Sequence, residues 1–148
     1  MLQKITLLIV YVLIVAGCAN TNIPNDSLRF VTDQSTANLV EAEDRLLTVA
    51  FVVHNTSDRT IGPFTIDIQA SNEALSGLLE QGFGNLGAQY TLQQDEKHGY
   101  GATALVSQEI SAEQLRSAIE DHNSLEVRLL DESGEIIASE WIRKLMIQ

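Results

Sequence analysis

The stretch Arg45 to His54 constrains this chain more than any other: Leu47, Val49, Phe51 and Val53 alternate with Leu46, Thr48, Ala50, Val52 and His54. A period of two sends successive side chains to opposite faces of a strand. The β-branched content marks a central strand of a sheet. Phe64, Ile66 and Ile68 alternate in the same way with Thr65, Asp67 and Gln69, so one face of that strand is buried and the other wet. Between the two strands the chain is polar, and Asn55, Ser57, Asp58 and Gly62 supply a turn, with Pro63 placed where the second strand begins.

The same pattern returns near the C-terminus. Leu125, Val127 and Leu129 alternate with Glu126 and Arg128, and Asp131-Glu132-Ser133-Gly134 then leads into Ile136 to Ile142, which predicts a β-hairpin. Ile136 and Ile137 compete for the inner face, and Trp141 is expected at an edge where its indole nitrogen can reach an acceptor. One helix is predicted over Ala112 to His122. Ser111 and Gln114 form a capping box, Ile110 and Leu115 a hydrophobic staple, and Leu115, Ala118, Ile119 and His122 recur at helical spacing. Asn123 is suited to close it in a left-handed conformation. Ser27 to Thr32, Tyr90 to Gln94 and Gly101 to Ser107 read as weaker strands, while Glu73 to Leu79 fits either a helical turn or an edge strand.

About seven strands with one short inserted helix make a mainly β chain, and the pattern resembles an immunoglobulin-like or fibronectin-type β-sandwich over Ser27 to Met146. The cysteine pair and third-strand tryptophan of antibody domains are absent. An α+β sheet or a small open barrel uses the same elements.

The N-terminus carries an address. Lys4 precedes an apolar run from Ile5 to Ala16, and after Gly17 the chain turns polar at Asn20, Thr21, Asn22 and Asn25. A run of about a dozen residues suits a secretory signal and is short of the roughly twenty that span a bilayer as a helix. Val15-Ala16-Gly17-Cys18 resembles the lipobox of bacterial lipoproteins, with Val in place of the usual Leu. That resemblance implies cleavage before Cys18, a thioether-linked diacylglycerol on its sulfur and a further acyl chain, such as palmitate, on the new amine. Residues 1–17 are then a signal peptide, 18–26 a lipidated polar tether and 27–148 a single domain. Cys18 is the only cysteine, so disulfides and cysteine-based metal sites drop out, and lipidation accounts for a lone thiol in an exported chain. Two or more acyl chains, at about 0.8 kcal/mol per buried methylene, hold a protein persistently. Ala19 in place of Asp, by resemblance to enterobacterial lipoproteins, directs the product to the outer membrane where the source has one; otherwise the domain sits on the outer face of the cell membrane.

Without the leader, eight cations face 20 acidic residues, a net charge near −12. Nucleic acid and anionic surfaces repel such a domain. The acids are scattered, as on a solvated surface.

Candidate chemistry is thin. Gly82-Phe83-Gly84-Asn85-Leu86-Gly87 has the spelling of a dinucleotide fingerprint, but Ala88 to Leu92 after it reads as strand where the fingerprint needs a helix, so it is taken as a glycine loop. His54, His98 and His122 show no metal-ligand spacing. The carboxylate pairs Glu41 with Glu43 and Asp95 with Glu96 lie in polar stretches that do not raise a pKa. Asp131 to Glu135 lacks the alternating spacing of a calcium loop, and no nucleophile elbow occurs. No cofactor or metal is expected, and the chain reads as a non-catalytic envelope module with a protein partner. The alternatives are a small envelope hydrolase or lyase, with a histidine beside a buried acid in a deep pocket, and a ligand sensor or inhibitor using the Gly82 to Gly87 loop and the acidic hairpin.

Overall fold

The computed structural model describes residues 23–24, 26–71, 73–79, 82–83, 87–121 and 123–148. The elements in chain order are β1 (Leu28–Phe30), a 3-10 turn (Thr32–Gln34), β2 (Thr36–Val40), β3 (Leu46–Asn55), β4 (Ile61–Ala70), α1 (Glu73–Leu78), β5 (Tyr90–Leu92), β6 (Lys97–Leu105), α2 (Ala112–Glu120), β7 (Leu125–Leu130), β8 (Ile136–Trp141) and β9 (Leu145–Ile147). Among the described residues no helix is long and apolar enough to cross a membrane.

The strands form two sheets. In the first, β3 is central: β6 runs antiparallel along one side of it, β1 and β2 share the other, and β9 adds parallel to β2. The second has the antiparallel order β5-β4-β7-β8. The chain changes sheet between β3 and β4, between β5 and β6, through α2 between β6 and β7, and between β8 and β9. The two sheets make a mainly β sandwich, the fold class expected from the alternation, with two short helices among the described residues.

The core lies where the alternation puts it. Leu47, Val49, Phe51 and Val53 of β3 face Phe64, Ile66 and Ile68 of β4 and Leu125, Val127 and Leu129 of β7, all buried. Each such side chain contributes about 1.5–3 kcal/mol relative to exposure. The capping box at Ser111 forms in both directions, and α2 buries Leu115, Ala118 and Ile119 against the core. Glu120 near its end accepts a hydrogen bond from the Leu145 amide at 2.8 Å, fastening the helix to the start of β9. Asn123 adopts φ +46°, as its type allows.

The structure departs from the sequence reading in several places. Strands β2 and β9 are additional; β2 is built from weak strand formers such as Ala37 and Asn38 and is held by neighbours on both sides. Glu73–Leu78, open in sequence between a helical turn and an edge strand, is a helix, so the described residues hold a second short helix beside the one inserted helix expected. Strand β6 begins at Lys97, four residues before Gly101, because β3 templates it as far as the His54–Lys97 pair. Pro63 lies inside β4, at a register shift against β5 where a missing donor does no harm. Beside it Gly62 has φ +144°, and a Cβ there would lie 2.7 Å from the Tyr90 carbonyl oxygen. Of the competing pair, Ile136 is 54% exposed and Ile137 packs against the core. Ile23 also packs against the core, and the Ser27 amide bonds the Pro24 carbonyl at 3.1 Å, so ordered contacts reach back beyond Ser27.

Candidate interaction surface

Among the described residues, those singled out by sequence do not converge. Cys18 and His122 lie outside the described residues, as do Gly84, Asn85 and Leu86 of the glycine loop. Gly82 and Gly87 are exposed, with open space where a Cβ would go, and the next element is the strand β5. His54 sits on the outer side of β3 with Nε2 2.7 Å from Asp95 Oδ1, a carboxylate 85% exposed. His98 lies on β6 with Nδ1 3.7 Å from Glu96 Oε1 and its ring 4.8 Å from that of Tyr100. The acid beside His54 is exposed and the one beside His98 is about one-third exposed, so neither is the buried acid that the hydrolase reading requires.

The carboxylates serve local structure. Glu41 pairs with Arg45 at 2.9 Å, and Arg45, buried, also donates to the carbonyls of Ser107 at 3.0 Å and Ile110 at 2.6 Å, pinning the segment before α2 to the start of β3. Glu96 accepts from the Gln93 amide at 2.7 Å within the β5–β6 turn. In the β7–β8 hairpin, Asp131 Oδ1 accepts from the Ser133 hydroxyl at 2.6 Å, the Ser133 amide at 2.8 Å and the Glu135 amide at 2.9 Å. These bonds, the Ser133 hydroxyl first, hold the Asp131 carboxyl below its ordinary pKa. The acidic hairpin is a self-satisfied turn. Among the described residues no three metal-binding side chains come together.

Cavities open on the described surface, and two of them touch residues named above. One, of about 320 Å³, is lined by Glu41, Ala42, Arg45, Gln108 and Ile110, and its arginine is already bonded. The other, of about 150 Å³, lies between the 3-10 turn and the β8–β9 link, with Trp141 on its wall and Asp33, Glu140, Arg143 and Lys144 around it. Trp141 thus stands at the rim, as expected.

The fold assembles two features that sequence reading missed. The first is an aromatic seam. Phe30, Phe51, Phe64, Tyr90 and Tyr100 come from five different strands, and the fold brings them together where β5 and β6 close one side of the sandwich. Tyr90 meets Tyr100 edge-on at 4.9 Å. Burial, then the charge of Glu96 and the neighbouring Tyr90, push the Tyr100 hydroxyl up to about 12.

The second is the outer face of the first sheet. Register arranges its outward side chains in cross-strand rows. Arg29, His54 and Lys97 make a row at one end, with Arg29 beside Asp26 and His54 bonded to Asp95, and Val40, Leu46 and Leu105 an apolar row at the other. Between them lie Val52 beside Gly99, then Thr36, Ala50 and Gly101, then Asn38, Thr48 and Thr103, the two threonine hydroxyls bonded at 3.0 Å. None of the 20 acidic residues falls in any of the five strands of this sheet. The outer face of the second sheet, by contrast, carries Asp67, Glu126 and Arg128. Alternation in β3 gives the strand two opposed faces; that four further strands, none of them holding an acid, extend one of those faces follows only from the pairing.

No protein-family model, no curated protein and no solved structure matches this chain.

Proposed function

We propose that this chain is a lipid-tethered, non-catalytic interaction or assembly module of the bacterial cell envelope, anchored through Cys18 outside the cytoplasm. The observation that carries the interaction reading is that the five strands of the first sheet hold none of the chain's 20 acidic residues, the loop carboxylates of Asp26 and Asp95 reaching only the end of its outer face at Arg29 and His54. A flat partner can cover small, uncharged and β-branched side chains without stripping water from carboxylates, the costly part of burying a charged surface. Depletion of charge at the centre with charge at the margin is the usual anatomy of a protein interface. Here the margin holds Arg29 and Lys97 at one end and Glu41, Glu43 and Asp44 in the turn after Val40 at the other. The anchoring reading rests on Val15-Ala16-Gly17-Cys18.

Two measurements test the two parts separately. Metabolic labelling with an alkyne fatty acid is expected to mark the wild-type chain and leave Cys18→Ala unmarked; an unmodified wild-type thiol with the leader still attached overturns the address. Capture of cross-linked envelope proteins is expected to yield a specific partner with wild type and to lose it with Ala50→Glu, which places a carboxylate at the centre of the face. Equal capture by a folded Ala50→Glu variant overturns the assignment of the surface.

A further inference from the structure

Among the described residues, strand β6 is paired on one side only, with β3. The Val106 amide donates to the Arg45 carbonyl and the Asn55 amide to the Glu96 carbonyl, both at 2.9 Å, so even-numbered residues of this segment turn their main-chain groups toward β3. By the alternation of an extended chain, Lys97, Gly99, Gly101 and Thr103 turn theirs the other way. All four are exposed, and among the described residues no strand pairs with that side. The open edge ends where Leu79 bridges to Val106.

Natural sheets guard such edges with proline, bulges, clustered charge or a covering loop. From Lys97 to Leu105 there is no proline, the register against β3 is unbroken, and Lys97 is the only residue with a full charge. A Cβ at Gly99 would meet nothing within 4 Å, and one at Gly101 only the Val49 carbonyl oxygen at 3.5 Å.

We infer that a second copy of this chain pairs antiparallel with the open edge of β6, two-fold symmetric about Tyr100, joining two first sheets into one. The edge is its own complement. In this register Lys97 lies opposite Thr103 of the second copy and Gly99 opposite Gly101, with Tyr100 beside its equivalent, and about eight main-chain hydrogen bonds form. No like charges are brought face to face, since the edge holds no acid and the lysine meets a threonine. The small outward side chains let the two backbones approach, and the exposed part of each Tyr100 gains an aromatic neighbour. Away from the edge both copies are strongly acidic, so their long-range repulsion opposes association and salt relieves it. This inference extends the interaction reading to a specific partner and does not depend on the lipid.

Sedimentation of the full chain in neutral detergent is expected to show a dimer that tightens as salt is raised. Gly101→Pro removes a donor from the open side only, and is expected to give monomers whose unfolding transition stays cooperative. Register is tested by oxidation: a mixture of Lys97→Cys and Thr103→Cys chains is expected to give a cross-linked heterodimer several-fold above that from either chain alone. Wild type run alongside reports the background from Cys18. Hydrogen-bonded strand partners lie about 5.5 Å apart at Cα, within disulfide reach. A monomer at all concentrations up to about 0.1 mM, a range that would saturate a micromolar dimer, overturns the inference. So does a dimer indifferent to Gly101→Pro or one in which the mixed cysteines fail to join.

Discussion

Asn55 is the most heavily engaged polar side chain on the described surface of the core. It is fully buried, its amide faces the carbonyls of Arg59, Leu92 and Gln93 at 2.7, 3.1 and 2.9 Å, and its Oδ1 accepts from the Ser57 amide at 3.0 Å and hydroxyl at 2.7 Å. It thereby ties the end of β3, the following turn and the end of β5 together. Asn55→Ala removes these bonds and takes its partner from the buried Leu92 carbonyl, and a loss of about 2–3 kcal/mol is expected from urea unfolding. Asn55→Asp is expected to be no milder, because a carboxylate replaces the donor that three carbonyls need. Tyr100 gives a prediction in pH. Its phenol ionises at about 12 in the folded chain, above its ordinary value near 10, so the folded state favours the neutral form. The associated stability is complete below about pH 10 and is lost as pH rises toward 12. Phenolate absorbance is expected to show one tyrosine titrating late, and Tyr100→Phe to remove that step.

Among the elements, α2 owes its place to local and distant causes in sequence. The reciprocal bonds between Ser111 and Gln114, at 3.1 and 2.9 Å, set where it begins. Burial of Leu115 and Ile119 then decides that it persists, since nine residues are too few for a helix to be stable alone. Ser111→Ala is expected to cost about 1 kcal/mol in chemical denaturation and to leave the sheets intact. Strand β4 shows how two strands constrain one glycine. Gly62 has a positive φ, and its α-carbon faces Tyr90 and Thr91 of β5 too closely for any side chain. Gly62→Ala is expected to destabilise by about 2 kcal/mol or more, seen as a lowered thermal midpoint. The glycine was legible as a turn residue; the contact with β5 that makes it irreplaceable was not.

Over the whole molecule the uneven placement of charge is the distinctive property. A net charge of −11 is carried by turns, by helices and by the second sheet, and none of its acids lies in a strand of the first. Such a distribution sets up long-range repulsion between copies while leaving the strands of one sheet without acids. Part of the repulsion also acts within the folded body. Raising ionic strength from about 0.01 to about 0.5 M shortens the Debye length several-fold, and a rise of a few degrees in the thermal midpoint is expected.

Local pattern alone determined the main architecture. The alternation in β3, β4 and β7, the hairpin turn at Asp131 to Gly134 and the cap at Ser111 follow from side-chain direction and backbone hydrogen bonding within a few residues, and each formed where the sequence put it. What depended on pairing across the chain was left to the tertiary structure. Strands β2 and β9 exist because they have neighbours, and the aromatic seam gathers rings from residues 30 to 100. The sheet whose strands hold no acid needs the pairing of five strands to be visible at all. A one-residue shift in any of those pairings would turn its outward row to the core, which is why a surface made by register cannot be read from the strands taken singly.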